Sequence, residues 1–235
     1  MSFLEDYYQD AGAVRVSRQQ ASDFAKRIAG DFNPLHDADA KPFCVPGDLL
    51  FALVLNRYGL SQQMTFSFKG MVGDGAGLVF PDEVTDRFSI TDEAGKEYME
   101  IERSGNTTQD ASLIQALIRR YVEFSGQTFP DILVPLMAEH GVMINPARPM
   151  VIYASMGIRM NRLDISDPQL NLSDSMLNLE GKRAGVTLNF NISAEGEVVG
   201  RGEKSLVLSG LRPYDQEAIE QLVQSYGLRK QGYQG

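Results

Sequence analysis

Residues 46–59 read PGDLLFALVLNRYG. Proline suits the first turn of a helix, where its missing N–H would have no partner anyway, and glycine just past the last turn ends one. Between them Leu49, Leu50, Phe51, Ala52, Leu53, Val54 and Leu55 are apolar without a break. Such a helix has no face to give to water, so protein must enclose it on every side.

The flanks say what encloses it. Upstream, Val14 and Val16 suggest a short strand, and Ser17 with Gln20 three residues later is a capping box. Ala21, Phe24, Ala25 and Ile28 then recur at helical spacing, and Gly30 is placed to end that helix. Downstream, 64–70, 77–90 and 96–104 alternate as strands do, with turn signals at Gly70–Gly77 and Asp92–Gly95 between them.

The same order then recurs. ASLIQALIRRYVEFSG (111–126) is an amphipathic helix ending in glycine, and PDILVPLMAEHG (130–141) is a second proline-started apolar helix. Strand-like stretches follow at 150–160, 175–180, 185–194 and 197–208, and a tail helix at 215–227 presents Leu222, Val223 and Tyr226. Internal repetition fixes architecture before any local motif does. The chain therefore divides near residue 109 into two units, 1–109 and 110–235. Each is expected to be a curved antiparallel sheet wrapped around one buried apolar helix, in the α+β class. The two sheets should continue edge to edge as an intrachain pseudo-dimer, with 150–161 as a central strand and the second unit walling the first unit's pocket. A homodimer of such chains stays open.

Composition narrows the function. A 235-residue chain with 43% hydrophobic and 23% charged residues can bury an ample core, and no run of 18 apolar residues offers a membrane span. The amino terminus, MSFLEDYYQDAG, lacks the basic start and apolar stretch of a signal peptide, so a bacterial-type cytoplasmic protein is the simplest reading. A net charge of −9 argues against nucleic acid. One cysteine and two histidines argue against a disulfide or structural zinc, and no metal or cofactor is expected. GMVGDGAG (70–77) lacks the Lys-Ser/Thr of a phosphate loop and reads as a hairpin connection; His140 reads as a helix-end residue and Cys44 as a small semi-buried one.

The two units differ at one place. Between its two helices the first carries DFNPLHDADAKPFCV, the second only QTF. The insertion holds Asp31, Asn33 and His36, as a single active site on a duplicated scaffold would. By spacing alone the stretch reads first as a turn with a surface histidine.

AGDFNPLH resembles the signature of the MaoC-like, or (R)-specific, enoyl-CoA hydratases: Ser/Ala-Gly-Asp-x-Asn-Pro-Leu/Ile/Val-His. Ala29, Gly30, Asp31, Asn33, Pro34, Leu35 and His36 meet all seven specified positions. FCVPGDLL is similar to the family's approach to its central helix, with Gly47 at the family's glycine. The resemblance is specific over 14–55, loose to about 104 and architectural beyond.

It implies a tandem, double hotdog fold and an acyl thioester, carried by CoA or acyl-carrier protein, as substrate. The implied reaction is syn addition or removal of water, with Asp31 and His36 as the catalytic acid/base pair. Asn33 and Gly47 are then the substrate-binding positions: Asn33 to brace the loop, Gly47 at a helix N-terminus to take the thioester oxygen. The sequence departs from the pattern at Pro46, where the family has histidine, at Asp48, and in the span of eleven residues from His36 to Gly47. Two other readings therefore stand beside the hydratase: a hotdog thioesterase using Asp48, and a catalytically inactive acyl-binding or scaffold protein.

Overall fold

The computed structural model describes residues 2–233. The central helix runs Gly47–Tyr58, and Leu49 to Leu55 are all buried. Strand residues Met64, Phe66, Ile90, Met99 and Ile101 pack around it. Phe51 meets Phe66 edge-on at 4.9 Å on one side and stacks on Tyr121 at 4.2 Å on the other. Tyr121 comes from the helix Ala111–Gly126, so the central helix is closed off by strands below and by a helix of the second unit.

Ten strands form one antiparallel sheet. In spatial order they are Gln9–Asp10, Val14–Arg15, Leu78–Val79, Arg87–Asp92, Glu97–Thr108, Leu60–Phe68, Met150–Met160, Glu197–Ser209, Arg183–Ala194 and Gln169–Glu180. The seam lies between Leu60–Phe68 and Met150–Met160, where Gln63 faces Arg159 and Ser67 faces Ser155. Strands from the two repeats thus share one hydrogen-bonded ladder, and neither leaves that edge bare. This is a double hotdog of the α+β class.

Three local expectations are corrected. The helix after Ser17 is α-helical only over Arg18–Asp23; Phe24–Ala29 widens to π geometry before Gly30 stops it at φ 66°. The stretch 77–90 is two strands, because Pro81 has no N–H to give a ladder and its carbonyl instead takes the Tyr58 hydroxyl at 2.7 Å. The second apolar helix is not enclosed as the first is. Phe129–Leu133 is a π turn, Val134–Glu139 is α-helical, and only Leu133, Leu136 and Met137 are buried. Pro135, just past the π turn inside this continuous run 129–139, has no N–H to carry the ladder across the junction.

The short second helix rests on Leu177, Val186, Leu188, Leu206 and Leu208, and the tail helix Gln216–Gly232 packs beside it through Ile219, Leu222 and Val223. That tail runs five residues past the expected end. Among the described residues no helix is long and apolar enough to cross a membrane.

Candidate active site

The π turn sets the geometry of the loop that follows. Its wide last turn lets the Asp31 amide reach back to the Ala25 carbonyl at 2.8 Å, and the left-handed Gly30 swings the chain out of the helix. Asp31 Oδ1 then accepts the Asn33 amide at 2.8 Å, and Asn33 Oδ1 accepts the Leu35 amide at 3.1 Å. Two successive side-chain turns hold a short 3₁₀ turn, Pro34–His36. Asn33 thus braces the loop through its carbonyl oxygen while standing on the cavity wall.

Asp31 and His36 converge. Asp31 Oδ2 lies 3.8 Å from His36 Nε2, and both side chains are largely buried. The other ring nitrogen, Nδ1, is 2.8 Å from the Cys44 carbonyl, which can only accept, so Nδ1 carries a proton and Nε2 is the nitrogen that faces Asp31. Burial pushes the Asp31 carboxyl above its ordinary value; the His36 ring and the Asn33 amide oppose that, and the Asp48 charge adds to it. A buried carboxyl facing a histidine ring nitrogen is an arrangement that can pass a proton.

The pair sits on a cavity of about 490 Å³. Gly47 and Leu50 of the central helix form one wall, and Phe68 to Val72 a second. The second unit supplies Ser125, Phe129, Leu133 and the segment Val151–Ala154; the tail helix supplies Leu222, Tyr226 and Arg229. The lining is chiefly apolar. Gly47 is crowded: a methyl there would stand 3.0 Å from Tyr153 Cδ2 and 3.2 Å from the Phe68 ring. Glycine spares the two rings that crowding at a helix N-terminus, where the first N–H groups have no intrahelical partner.

Asp48 is not on that wall. It is buried, accepts the Ser125 hydroxyl at 2.8 Å, and pairs with Lys204 Nζ at 3.2 Å. Lys204 is wholly buried in strand Glu197–Ser209, also contacts Ser125 Oγ, and lies over the Tyr121 ring at 4.0 Å. Desolvation pushes its ammonium down, and the Asp48 carboxylate holds it up. The negative charge in the first turn of the central helix is thus matched by a cation from the other unit. Tyr153 stands beside the cluster on the cavity wall; burial first, then the Asp48 and Asp31 carboxylates, push its phenol well above the usual range. It stays protonated and able to donate.

The tail helix ties the loop down. Tyr226 Oη accepts the Phe32 amide at 3.1 Å and reaches the Gly30 and Gly126 carbonyls at 3.4 and 3.3 Å, and Phe32 packs edge-on against the Tyr226 ring. Arg229 pairs with Asp37 at 2.6 Å, and Lys26 joins the same carboxylate at 3.0 Å.

Cys44 lines the cavity, but its Sγ donates to the Val45 carbonyl and burial raises its thiol to about 11. His140 lies at the far end of the second helix, with Nδ1 2.9 Å from the Leu136 carbonyl. Among the described residues no three His, Cys, Asp or Glu side chains gather as metal ligands.

Ser125, Tyr153, Lys204 and Tyr226 escaped the sequence reading as site residues. Lys204 alone carried a signal: it falls in phase with inward-facing Leu206 and Leu208 on its strand.

Among solved structures, the chain is similar to a MaoC-like dehydratase (11% identity, 86% of this chain and 97% of that one, TM-score 0.42). It is similar also to a tesB protein of Mycobacterium avium subsp. paratuberculosis (10%, 70% and 87%, 0.41) and to an acyl-CoA thioesterase II, TesB2, from Mycobacterium marinum (12%, 91% and 98%, 0.38). No curated protein sequence matches it. The family described as "Protein of unknown function (DUF3581)" matches residues 1–217, all ten strands of the sheet and every helix before the tail, and the chain belongs to that family.

Proposed function

We propose that the protein adds water to, or removes it from, an acyl thioester of the 2-enoyl/3-hydroxyacyl type, with Asp31 and His36 as the acid/base pair. The observation that carries this reading is the Asp31–His36 couple itself: 3.8 Å apart, with the histidine tautomer fixed by Cys44, on the wall of an apolar cavity. For hydration, Nε2 of His36 takes a proton from a water held between the two side chains. The hydroxide adds to the β-carbon, and the protonated Asp31 carboxyl delivers its proton to the α-carbon on the same face. Charge built up on the thioester oxygen meets the first-turn N–H groups at Gly47. The Asp48–Lys204 pair keeps the carboxylate of that turn from opposing it. Dehydration runs the same steps backwards.

The test is hydration of short and medium 2-enoyl-CoA thioesters, followed as loss of the enoyl absorbance. Asp31→Asn and His36→Ala should each lower kcat by roughly 10²–10⁴, the range of a positioned acid or base. Wild-type rates in both variants sink the proposal.

A further inference from the structure

The acid/base couple uses one wall of the cavity; the opposite unit brings a second reactive arrangement to the same space. Ser125 lies in the last turn of the helix Ala111–Gly126, on the cavity wall, and its hydroxyl is held in a way a structural serine does not need. Oγ donates to Asp48 Oδ1 at 2.8 Å, with the Tyr121 carbonyl at 3.1 Å as a second acceptor, and takes a hydrogen bond from the Lys204 ammonium. A carboxylate waiting for the proton and a cation waiting for the oxygen's charge are the two things that turn a hydroxyl into a nucleophile. Both are buried, so neither is screened by water: Asp48 is 2% exposed and Lys204 0%. A buried ion pair is a costly way to fasten two units, since well-packed apolar side chains would do as well or better.

We propose that Ser125 is an acyl-accepting nucleophile, with Asp48 as its base and Lys204 as the cation that holds both. Oγ attacks the carbonyl carbon of an acyl donor in the cavity, and the Oγ–C bond forms as its proton passes to Asp48 Oδ1. The C–S bond of the thioester then breaks and the sulfur leaves as a thiolate that takes its proton from solvent, while Asp48 holds the serine's proton until Oγ is released again. The product is a serine ester and a free thiol. Water attacking that ester releases the carboxylic acid and restores the hydroxyl, so the net reaction is thioester hydrolysis. Asp48, which cannot reach the substrate itself, would act through Ser125. The inference leans on the proposed hydratase function only for the class of acyl donor, and it assigns a separate chemistry to the same cavity.

The experiment is acylation of the full-length protein by p-nitrophenyl butyrate and by butyryl-CoA at pH 8. It is read as a p-nitrophenolate burst, as released thiol, and as intact and peptide mass. The expected result is a burst of about one equivalent per chain and one butyryl group on the peptide containing Ser125. Ser125→Ala should remove both, and Ser125→Cys should keep the acyl group as a hydroxylamine-sensitive thioester. The cysteine variant, nearly the serine's size, carries the test if the alanine variant fails to fold. No acyl group on residue 125, an unchanged burst in Ser125→Ala, or labelling of Cys44 instead overturns the assignment. Acylation without enoyl hydration overturns only the hydratase reading; hydration without acylation overturns only this one.

Discussion

The hydroxyl of Tyr226 stands 3.1 Å from the amide of Phe32, tying the last helix of the chain to the residue that follows Asp31. The two are separated by 194 positions, and the contact is buried. Tyr226→Phe keeps the ring against Phe32 and Phe129 but leaves that amide without its acceptor. An unsatisfied buried N–H costs about 1–3 kcal/mol, which in a chain of this size lowers Tm by several degrees at 2–4 °C per kcal/mol. Because the loop carries Asp31 and His36, kcat for enoyl hydration should fall as well. A loss of Tm with full kcat would show that the tether is structural only.

Asp31 gives a pH dependence of defined sign. Its carboxyl is raised from 3.8, chiefly by burial, so the folded chain holds that proton more tightly than the unfolded chain does. Ionising it therefore costs stability. The cost is absent below the unfolded value, grows as pH rises through the raised one, and is complete above it. Asp31→Asn keeps an oxygen for the Asn33 amide and removes the charge. Its Tm at pH 7 should exceed that of the wild type, with the gap closing toward pH 4. Thermal melts across that interval check this, and a lower Tm at pH 7 would count against the buried-acid picture.

The Asp48–Lys204 pair should behave as buried ion pairs do. Lys204→Met leaves a carboxylate in the core with Ser125 as its remaining partner among the described residues, a change that typically costs about 3–5 kcal/mol. Replacing both, as Asp48→Asn with Lys204→Met, should recover a large part of that. Denaturant midpoints at constant m report the coupling, and simple additivity of the single changes would mean the two charges do not depend on each other.

How much of this was legible in the sequence depends on the reach of each contact. The enclosed helix could be read because seven consecutive apolar side chains admit no other environment, and the loop because its motif is contiguous. The second helix was overestimated because Pro135 has no N–H to carry the ladder across its π junction and the tail helix packs beside it. The Asp48–Lys204 contact spans 156 positions, and that of Ser125 with Lys204 spans 79, distances over which no local pattern speaks. Tyr153 was hidden for a different reason. The sheet register slips between Ser205 and Leu206, which face Ser155 and Tyr153, so Ala154 is an extra residue. That bulge puts Tyr153 in step with buried Leu206 although Met156, Ile158 and Met160 are the buried residues beyond it, and strict alternation along the strand cannot foresee the change.

Gly126 tests how closely the second unit must approach the loop. A methyl at this position would overlap the Ala29 carbonyl oxygen and press on Gly30. Backbone cannot step aside as a flexible side chain can, so Gly126→Ala should cost about 1–3 kcal/mol through overpacking and displace the Asp31 turn. Enoyl hydration and Tm should fall together. An alanine variant with wild-type Tm would mean that the two segments separate without penalty.

The seam between the two units makes the last prediction. Strand Leu60–Phe68 pairs with Met150–Met160 along one edge and with Glu97–Thr108 along the other. Phe51, on the central helix, is stacked on Tyr121 of the second unit. Residues 1–109 expressed alone would lose the Met150–Met160 ladder and the helix Ala111–Gly126 together. A row of unpaired N–H and C=O groups beside an exposed apolar face is a template for another copy. The fragment should dimerise through Leu60–Phe68, restoring across two chains the pairing that one chain makes, or aggregate. Sedimentation over a range of concentrations distinguishes these outcomes. A monodisperse monomer that melts cooperatively would show that the first unit folds on its own, and the pseudo-dimer reading of the chain would fall.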